Sequence, residues 1–134
     1  MRSSAYNDFR AWRVKLLPEV SLWLDELSTD DYEQVVDALK ILRDFGPTLG
    51  RPLVDRLKHS QLHNLKELRP AGSNLRMLFI FDPQREAIVL CAGDKTGKWN
   101  SWYDENIVIA EERYRRYLNG GYKEEDFSTG SYDS

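Results

Sequence analysis

Three strand-like runs in the middle of the chain constrain its fold more than any other feature. They span residues 64–70, 75–82 and 86–95. Apolar side chains either alternate with polar ones or fill nearly the whole run, as they do in β-strands. The connecting segments, PAGS and DPQR, are built from turn-forming residues. Short turns join antiparallel neighbours. The middle of the chain therefore predicts an antiparallel sheet, and the last strand, nearly all apolar, is expected to be covered on both faces.

The residues before this sheet predict one strand and a helical hairpin. Alternation of apolar and basic residues in FRAWRVKLL predicts a half-buried strand over 9–17. Residues 18–45 then carry apolar side chains at helical spacing, in two stripes separated by STDD. Pro18 suits the first position of the first helix. Asp30 and Glu33 match a capping box for the second helix, which is predicted to end at Gly46.

The remaining segments predict a loop, a final helix and a tail. Residues 46–63 lack a sustained period and predict a loop with at most one short turn near 52–57. Ser101 or Asp104 can cap a last helix, which Gly120 and Gly121 end. We therefore expect a domain over 1–118 and an acidic, disordered tail over 119–134.

Composition limits the environment of the protein. A chain of 134 residues with 41% hydrophobic residues can fold as one domain without stabilising disulfides or metal ions. Cys91, in an apolar run, is the single cysteine and is expected to be a buried thiol. The absence of a disulfide framework fits a reducing cytoplasm, and no segment has the length and apolarity of a membrane span.

Charge is distributed unevenly along the chain. The formal net charge is -3, and residues 119–134, with one lysine and four acidic residues, account for all of it. Residues 51–98 hold nine basic against five acidic residues. A local basic patch matters more for contact with phosphates than the global sum does.

Cations and aromatic residues accompany the strands. The cations lie in the strands or at their ends, and aromatics follow directly: Lys66, Arg69, Arg76, Lys95, Lys98, Trp99, Trp102 and Tyr103. This combination suits a ligand made of phosphates and bases. The alternative is a meander whose charges only face water. His59 and His63 lack a third ligand at zinc spacing, so we predict neither a metal site nor a cofactor.

The chain resembles a known family over about residues 12–118. The resemblance rests on LLPEVSLWLDEL, GPTLGRPLVDRLKHS and NLKELRPAGSNLRMLFIFDPQREAIVLCAGDKTGKWNSWY. These segments resemble the toxin component of bacterial type II toxin–antitoxin modules, in the phage-derived, HigB-like branch of the RelE/ParE superfamily. The resemblance implies an α+β, microbial-ribonuclease-like fold: an N-terminal strand and helical hairpin, an antiparallel sheet of about four strands and a C-terminal helix.

The same resemblance implies a function and partners. Such toxins commonly act as metal-independent endoribonucleases that cleave mRNA on the ribosome and so inhibit translation and growth. A cognate helix-turn-helix, HigA-like antitoxin neutralises them, and promoter DNA is bound only through that antitoxin. Two alternatives stay open, namely a ParE-like inhibitor of DNA gyrase and a non-catalytic binding module.

Candidate site residues follow from the resemblance and from the chemistry of RNA cleavage. The predicted catalytic residues are Arg69, Arg76, Lys95 and Tyr103, and the predicted RNA-binding residues are Lys58, His59, Lys66, Lys98, Trp99 and Trp102. The arginines suit a phosphorane, because a guanidinium offers a fixed fork of donors. A lysine or tyrosine can transfer a proton here only if neighbours lower its pKa. Related toxins carry a lysine where this chain has Glu67, and Lys66 or Lys58 is expected to substitute.

Overall fold

A computed structural model describes residues 12–128, which form a five-stranded sheet with three helices. The elements are β1 (Arg13–Leu16), α1 (Pro18–Asp25), α2 (Thr29–Phe45), β2 (Val54–Arg56), β3 (Lys66–Leu68), β4 (Leu75–Phe81), β5 (Glu86–Asp94) and α3 (Asn100–Leu118), with 3-10 turns at Gly46–Thr48 and Glu124–Asp126. The α+β prediction is confirmed. The part of the predicted first strand that precedes Trp12 lies outside the described residues.

The sheet has the order β1-β5-β4-β3-β2. The consecutive pairs from β2 to β5 are antiparallel, as predicted. β1 pairs in parallel with β5 at one edge of the sheet, and the two helices of the hairpin carry the chain from there to β2 at the opposite edge. β2 lies within the segment predicted to be a loop, so that prediction is wrong for these three residues. Their strand conformation depends on pairing with β3, from Val54 opposite Leu68 to Arg56 opposite Lys66.

The helical hairpin begins as predicted and is capped differently. Pro18 occupies the first turn of α1. The N-cap of α2 is Ser28, whose hydroxyl accepts a hydrogen bond from the Asp31 N–H at 3.2 Å. The predicted capping box of Asp30 and Glu33 is therefore wrong, because the helix begins two residues earlier, with Ser28 and not Asp30 as its N-cap. Gly46, at φ 57°, ends the helix where the sequence predicts.

Helix α3 packs on the face of the sheet that carries Glu67 and Cys91. Asn106 accepts a hydrogen bond from the Cys91 thiol at 3.0 Å. The Trp102 indole lies so close to Gly93 that a Cβ there would come within 2.8 Å of its Nε1. β5 is buried from Glu86 to Cys91, which confirms the prediction that the third run is covered on both faces.

Helix α3 begins without a side-chain cap. Its N-cap is Trp99 at φ 44°, and neither Ser101 nor Asp104, the two predicted caps, fills that role. Both residues lie inside the helix, because the turn at residues 95–98 already reverses the chain. The Lys98 and Trp99 N–H groups donate to the Lys95 carbonyl at 3.0 and 3.1 Å.

Residues 122–128 form a strap along the edge of the domain, which we call the C-terminal strap. The Tyr122 hydroxyl donates to Glu19 at 3.1 Å, and the Phe127 ring packs on Tyr117 with centroids 5.6 Å apart. Ser128 and Leu16 exchange backbone hydrogen bonds of 2.9 and 3.2 Å. The prediction of disorder is therefore wrong for the strap, because its two aromatic rings find apolar partners. Residues 129–134 lie outside the described residues.

Within the described part of the chain, no helix has the length and apolarity needed to cross a membrane.

Candidate active site

A cleft of about 620 Å³ opens between the segment after β2, strand β3 and the first turns of α3. It is lined by Leu57, Lys58, His59, Glu67, Arg69, Lys95, Asn100, Tyr103, Asp104 and Ile107. Five residues predicted as site residues meet here, although they come from four separate segments: Lys58, His59, Arg69, Lys95 and Tyr103. Positive side chains on one wall give the cleft the charge that a phosphate ligand needs.

Glu67 connects the groups at the base of this cleft. Its side chain is only 4% exposed. One carboxylate oxygen accepts from the Tyr103 hydroxyl at 2.5 Å, and the other accepts from Arg69 Nη2 at 2.7 Å. Arg76 Nε lies 3.7 Å from the first oxygen. A buried carboxylate is stable only with such partners, so Glu67 fixes the positions of three predicted catalytic side chains.

Part of the Arg69 guanidinium is paired with carboxylates. Its Nη2 also donates to Asp55 on β2 at 3.1 Å, and the hydrogen bond to Glu67 is the main reason that its pKa is raised. The side chain remains 32% exposed and lines the cleft. The pair with Glu67 forms between residues two apart in the sequence. The Nε of Arg69 is buried without a hydrogen-bond partner, so a ligand can reach only the exposed part of the guanidinium.

Arg76 lies behind the cleft rather than in it. Its side chain is 11% exposed, and its Nη1 donates to the carbonyls of Ser73 and Leu75 at 2.9 and 2.8 Å. Arg76 is therefore not a lining residue of this cleft, and it lines a neighbouring cavity together with Arg69. Its charge instead stabilises Glu67.

The pKa of Lys95 is shifted in the direction that proton transfer requires. Its Nζ lies 4.7 Å from the centroid of the Trp99 ring and 5.6 Å from that of Tyr103. Burial is the main cause that lowers its pKa, and the nearby positive charge of Arg76 adds to the effect. No carboxylate of the described chain lies within ion-pair distance of Lys95. The ammonium is thus poised to lose a proton more easily than an ordinary lysine.

Tyr103 does not meet that requirement. Burial, followed by the hydrogen bond to Glu67, raises its pKa to about 12. A phenol in this state holds its proton more tightly than usual, and that proton already points at a carboxylate. The geometry favours a role for Tyr103 in shaping the cleft rather than in transferring protons.

The two tryptophans occupy opposite environments. Trp102 is 4% exposed and packs on Gly93 and Tyr103, so the predicted stacking of RNA on Trp102 is wrong: this indole is part of the core. Trp99 is 57% exposed, and its φ of 44° is rare for a bulky residue. Strain and exposure at one residue are typical of a functional position.

The last two predicted RNA-binding lysines lie outside the cleft. Lys66 precedes Glu67 in β3 and points to the other face of the sheet, where its Nζ lies 5.3 Å from the Phe81 ring. Lys66 therefore does not line the cleft, whereas Lys58, the other residue expected to substitute at this place, does. Lys98 is exposed in the turn before α3.

Three polar residues of the cleft are absent from the sequence-based prediction, namely Glu67, Asn100 and Asp104. In the sequence Glu67 stands out only as an acidic residue where the family resemblance implies a lysine. Asn100 and Asp104 are four residues apart, which places them on one face of a helix that begins at Asn100. A prediction that starts the helix at Asn100 would place both residues on the helix face next to Tyr103.

The comparison with known proteins decides the family. Residues 22–115 match the family described as Phage derived protein Gp49-like. The chain is also 51% identical over 105 residues to the candidate toxin HigB3 of Mycobacterium tuberculosis, covering 78% of this chain and 92% of that protein. The chain belongs to the Gp49-like family of HigB/RelE-type toxins. A second candidate toxin of that organism, HigB2, is 47% identical over 102 residues, and the match covers 74% of this chain and about half (51%) of HigB2.

Solved structures agree with the fold of this Gp49-like toxin. The RelE–RelB complex from Pyrococcus horikoshii matches with a TM-score of 0.53 at 18% identity, over 66% of this chain and 98% of that one. A mutant of the Escherichia coli toxin RelE in the free state matches with a TM-score of 0.55 at 12% identity, over 79% and 97%. At these identities the likeness establishes the shared fold alone. As a toxin of a toxin–antitoxin system, the protein has a cognate antitoxin as its partner.

Proposed function

We propose that this toxin is a metal-independent endoribonuclease that cleaves mRNA on the ribosome. The observation that carries the proposal is the cleft in which Arg69, Lys95 and Tyr103 meet Lys58 and His59. Its size and positive wall fit one nucleotide with its phosphate. The RelE-like fold supports this chemistry by analogy, but the proposal rests on the site residues.

In the proposed reaction the ribose 2′-oxygen attacks the adjacent phosphorus and the 5′-oxygen leaves. Arg69 donates hydrogen bonds to the phosphorane oxygens through the part of its guanidinium that Glu67 and Asp55 do not hold. Lys95 donates a proton to the leaving 5′-oxygen, a role supported by its lowered pKa. His59 lines the same cleft, and its imidazole accepts the 2′-hydroxyl proton.

Binding and positioning complete the site. Lys58 attracts the RNA backbone, and the exposed Trp99 indole stacks on a base. Tyr103 and Arg76 act through Glu67, with which both are in contact. In the proposed reaction Arg76 thus has a positioning role in place of direct phosphate contact.

The proposal extends to partners and location. The antitoxin is of the helix-turn-helix, HigA-like type, and promoter DNA is contacted only through it. Cleavage of ribosome-bound mRNA places the toxin in the cytoplasm.

The test is expression of this chain in a bacterium, with mapping of new mRNA 5′ ends and measurement of plasmid supercoiling. We expect cuts within translated codons, and at least a 100-fold loss of cutting in Lys95→Ala, the order of magnitude of general acid catalysis. Lys123→Ala is the matched control, because Lys123 is exposed and lies outside the cleft. Intact mRNA with altered supercoiling would replace the proposal with gyrase inhibition.

A further inference from the structure

Asp104 is an unexpected residue in this cleft. It lines the same cavity as Lys58, His59, Arg69 and Lys95. A carboxylate there repels the phosphate that the cations attract. Its presence therefore calls for a function other than phosphate binding.

The other acidic groups near the cleft are paired with hydrogen-bond donors or cations, and Asp104 differs from them. Glu67 is held by Tyr103 and the arginines, and Asp55 is paired with Arg69. Among residues 12–128, no cation lies within ion-pair distance of Asp104 and no donor within hydrogen-bond distance. Its carboxylate is also exposed to the cleft, so both oxygens can accept hydrogen bonds from a ligand.

The neighbours of Asp104 favour a base as that ligand. Asn100 lies one turn earlier on the same face of α3 and also lines the cleft. Trp99 directly precedes Asn100 and exposes its indole, on which a base can stack. The cations of the cleft come from the segment after β2, the end of β3 and the turn before α3. To these cations the start of α3 adds a carboxylate and an amide, two groups suited to a base.

Resting on the proposed function, we propose that Asp104 makes this toxin select guanine at one position of the RNA beside the cut. A carboxylate can only accept hydrogen bonds. Guanine offers two adjacent donors, N1–H and N2–H, on its Watson–Crick edge, whereas adenine, cytosine and uracil each offer one type of donor next to an acceptor that a carboxylate repels. Asn100 is positioned to contact the same base or its sugar through its amide.

The experiment compares cut sites from the wild type, Asp104→Asn and Asp104→Ala after expression in a bacterium. We expect guanine to be enriched at one fixed position relative to the wild-type cuts, by roughly 5- to 100-fold over other bases, as for a good bidentate contact. In Asp104→Asn the preference shifts toward adenine, because a carboxamide both donates and accepts as adenine requires. In Asp104→Ala the preference is lost. Glu105→Gln, exposed and outside the cleft, keeps the wild-type pattern.

The outcomes separate this inference from the proposed function. Wild-type cuts without guanine enrichment, or an enrichment that both Asp104 variants keep, would overturn the role of Asp104 while leaving the ribonuclease intact. Loss of all cutting in Asp104→Asn would assign the residue to the chemistry and also overturn a role in selectivity. Absence of cuts in the wild type would refute the ribonuclease itself, and with it this inference.

Discussion

Replacement of Glu67 by alanine tests whether one buried carboxylate holds the base of the cleft together. The substitution leaves the Tyr103 hydroxyl without its acceptor and two guanidinium groups without a shared anion. A hydrogen bond to a charged group contributes about 1.5–3 kcal/mol. The share of Arg69 is smaller, because its side chain is 32% exposed and keeps Asp55.

The expected loss of unfolding free energy is therefore about 3–5 kcal/mol, the range for breaking a buried charge pair. For a domain of this size, such a loss lowers Tm by about 10–20 °C. Denaturant unfolding, followed by tryptophan fluorescence, measures the free energy directly. Glu67→Gln keeps the volume but not the charge, so its loss should lie between those of the alanine variant and the wild type.

Two comparisons make the Glu67 prediction refutable. Glu105→Ala removes an exposed carboxylate from α3 and should change stability by less than about 0.5 kcal/mol. Arg76→Ala should destabilise the Glu67→Ala background less than the wild type, because its charge partner is already gone. A loss below about 1 kcal/mol for Glu67→Ala, with additive effects of the two substitutions, would refute the view of Glu67 as the shared partner.

Three further predictions concern the strap, the strained tryptophan and the lysine of the cleft. Truncation after Leu118 removes the C-terminal strap with its two part-buried rings and should lower the unfolding free energy by about 2–4 kcal/mol; an unchanged denaturation midpoint would show that the strap does not stabilise the domain. Trp99→Gly should be about 1 kcal/mol more stable than Trp99→Ala, because glycine adopts positive φ without strain, while both variants cleave RNA less; equal stabilities would contradict the strain. The pKa of Lys95 is lowered, so the lysine loses its proton at a pH below 10.5, the ordinary lysine value, and the cleavage rate should fall as the pH rises through that range. In Lys95→Arg this fall should move to higher pH. An identical pH profile in that variant would exclude Lys95 as the acid.

The sequence predicts the elements whose patterns are local. The alternation in β4 and the helical stripe of α2 each identify an element without knowledge of the rest of the chain. β2 escapes prediction because three residues carry no period, and β3 holds them in place from a distance. The strap escapes for a related reason, since its composition is polar and its order depends on two rings that dock on other elements.

For the site, too, residue types could be predicted from the sequence and their arrangement could not. The set of cations could be predicted because residue type already indicates affinity for phosphate. Which of them share a cleft could not, because that depends on strand faces: Lys66 and Glu67 are neighbours in sequence and point to opposite sides of β3. Likewise, Trp99 and Trp102 look equivalent in sequence, and only the start of α3 makes one exposed and the other buried.

The pairing of Leu16 with Ser128 has a consequence for the order in which the chain assembles during synthesis. β1 is made early, but its partner in the sheet, β5, follows only after both hairpin helices and three other strands. The strap, which closes the outer edge of β1, emerges later still. Until then β1 presents open backbone groups that another chain can pair with. Folding of this edge therefore waits for nearly the whole chain, and we expect partially synthesised forms to depend on chaperones or on a binding partner for solubility.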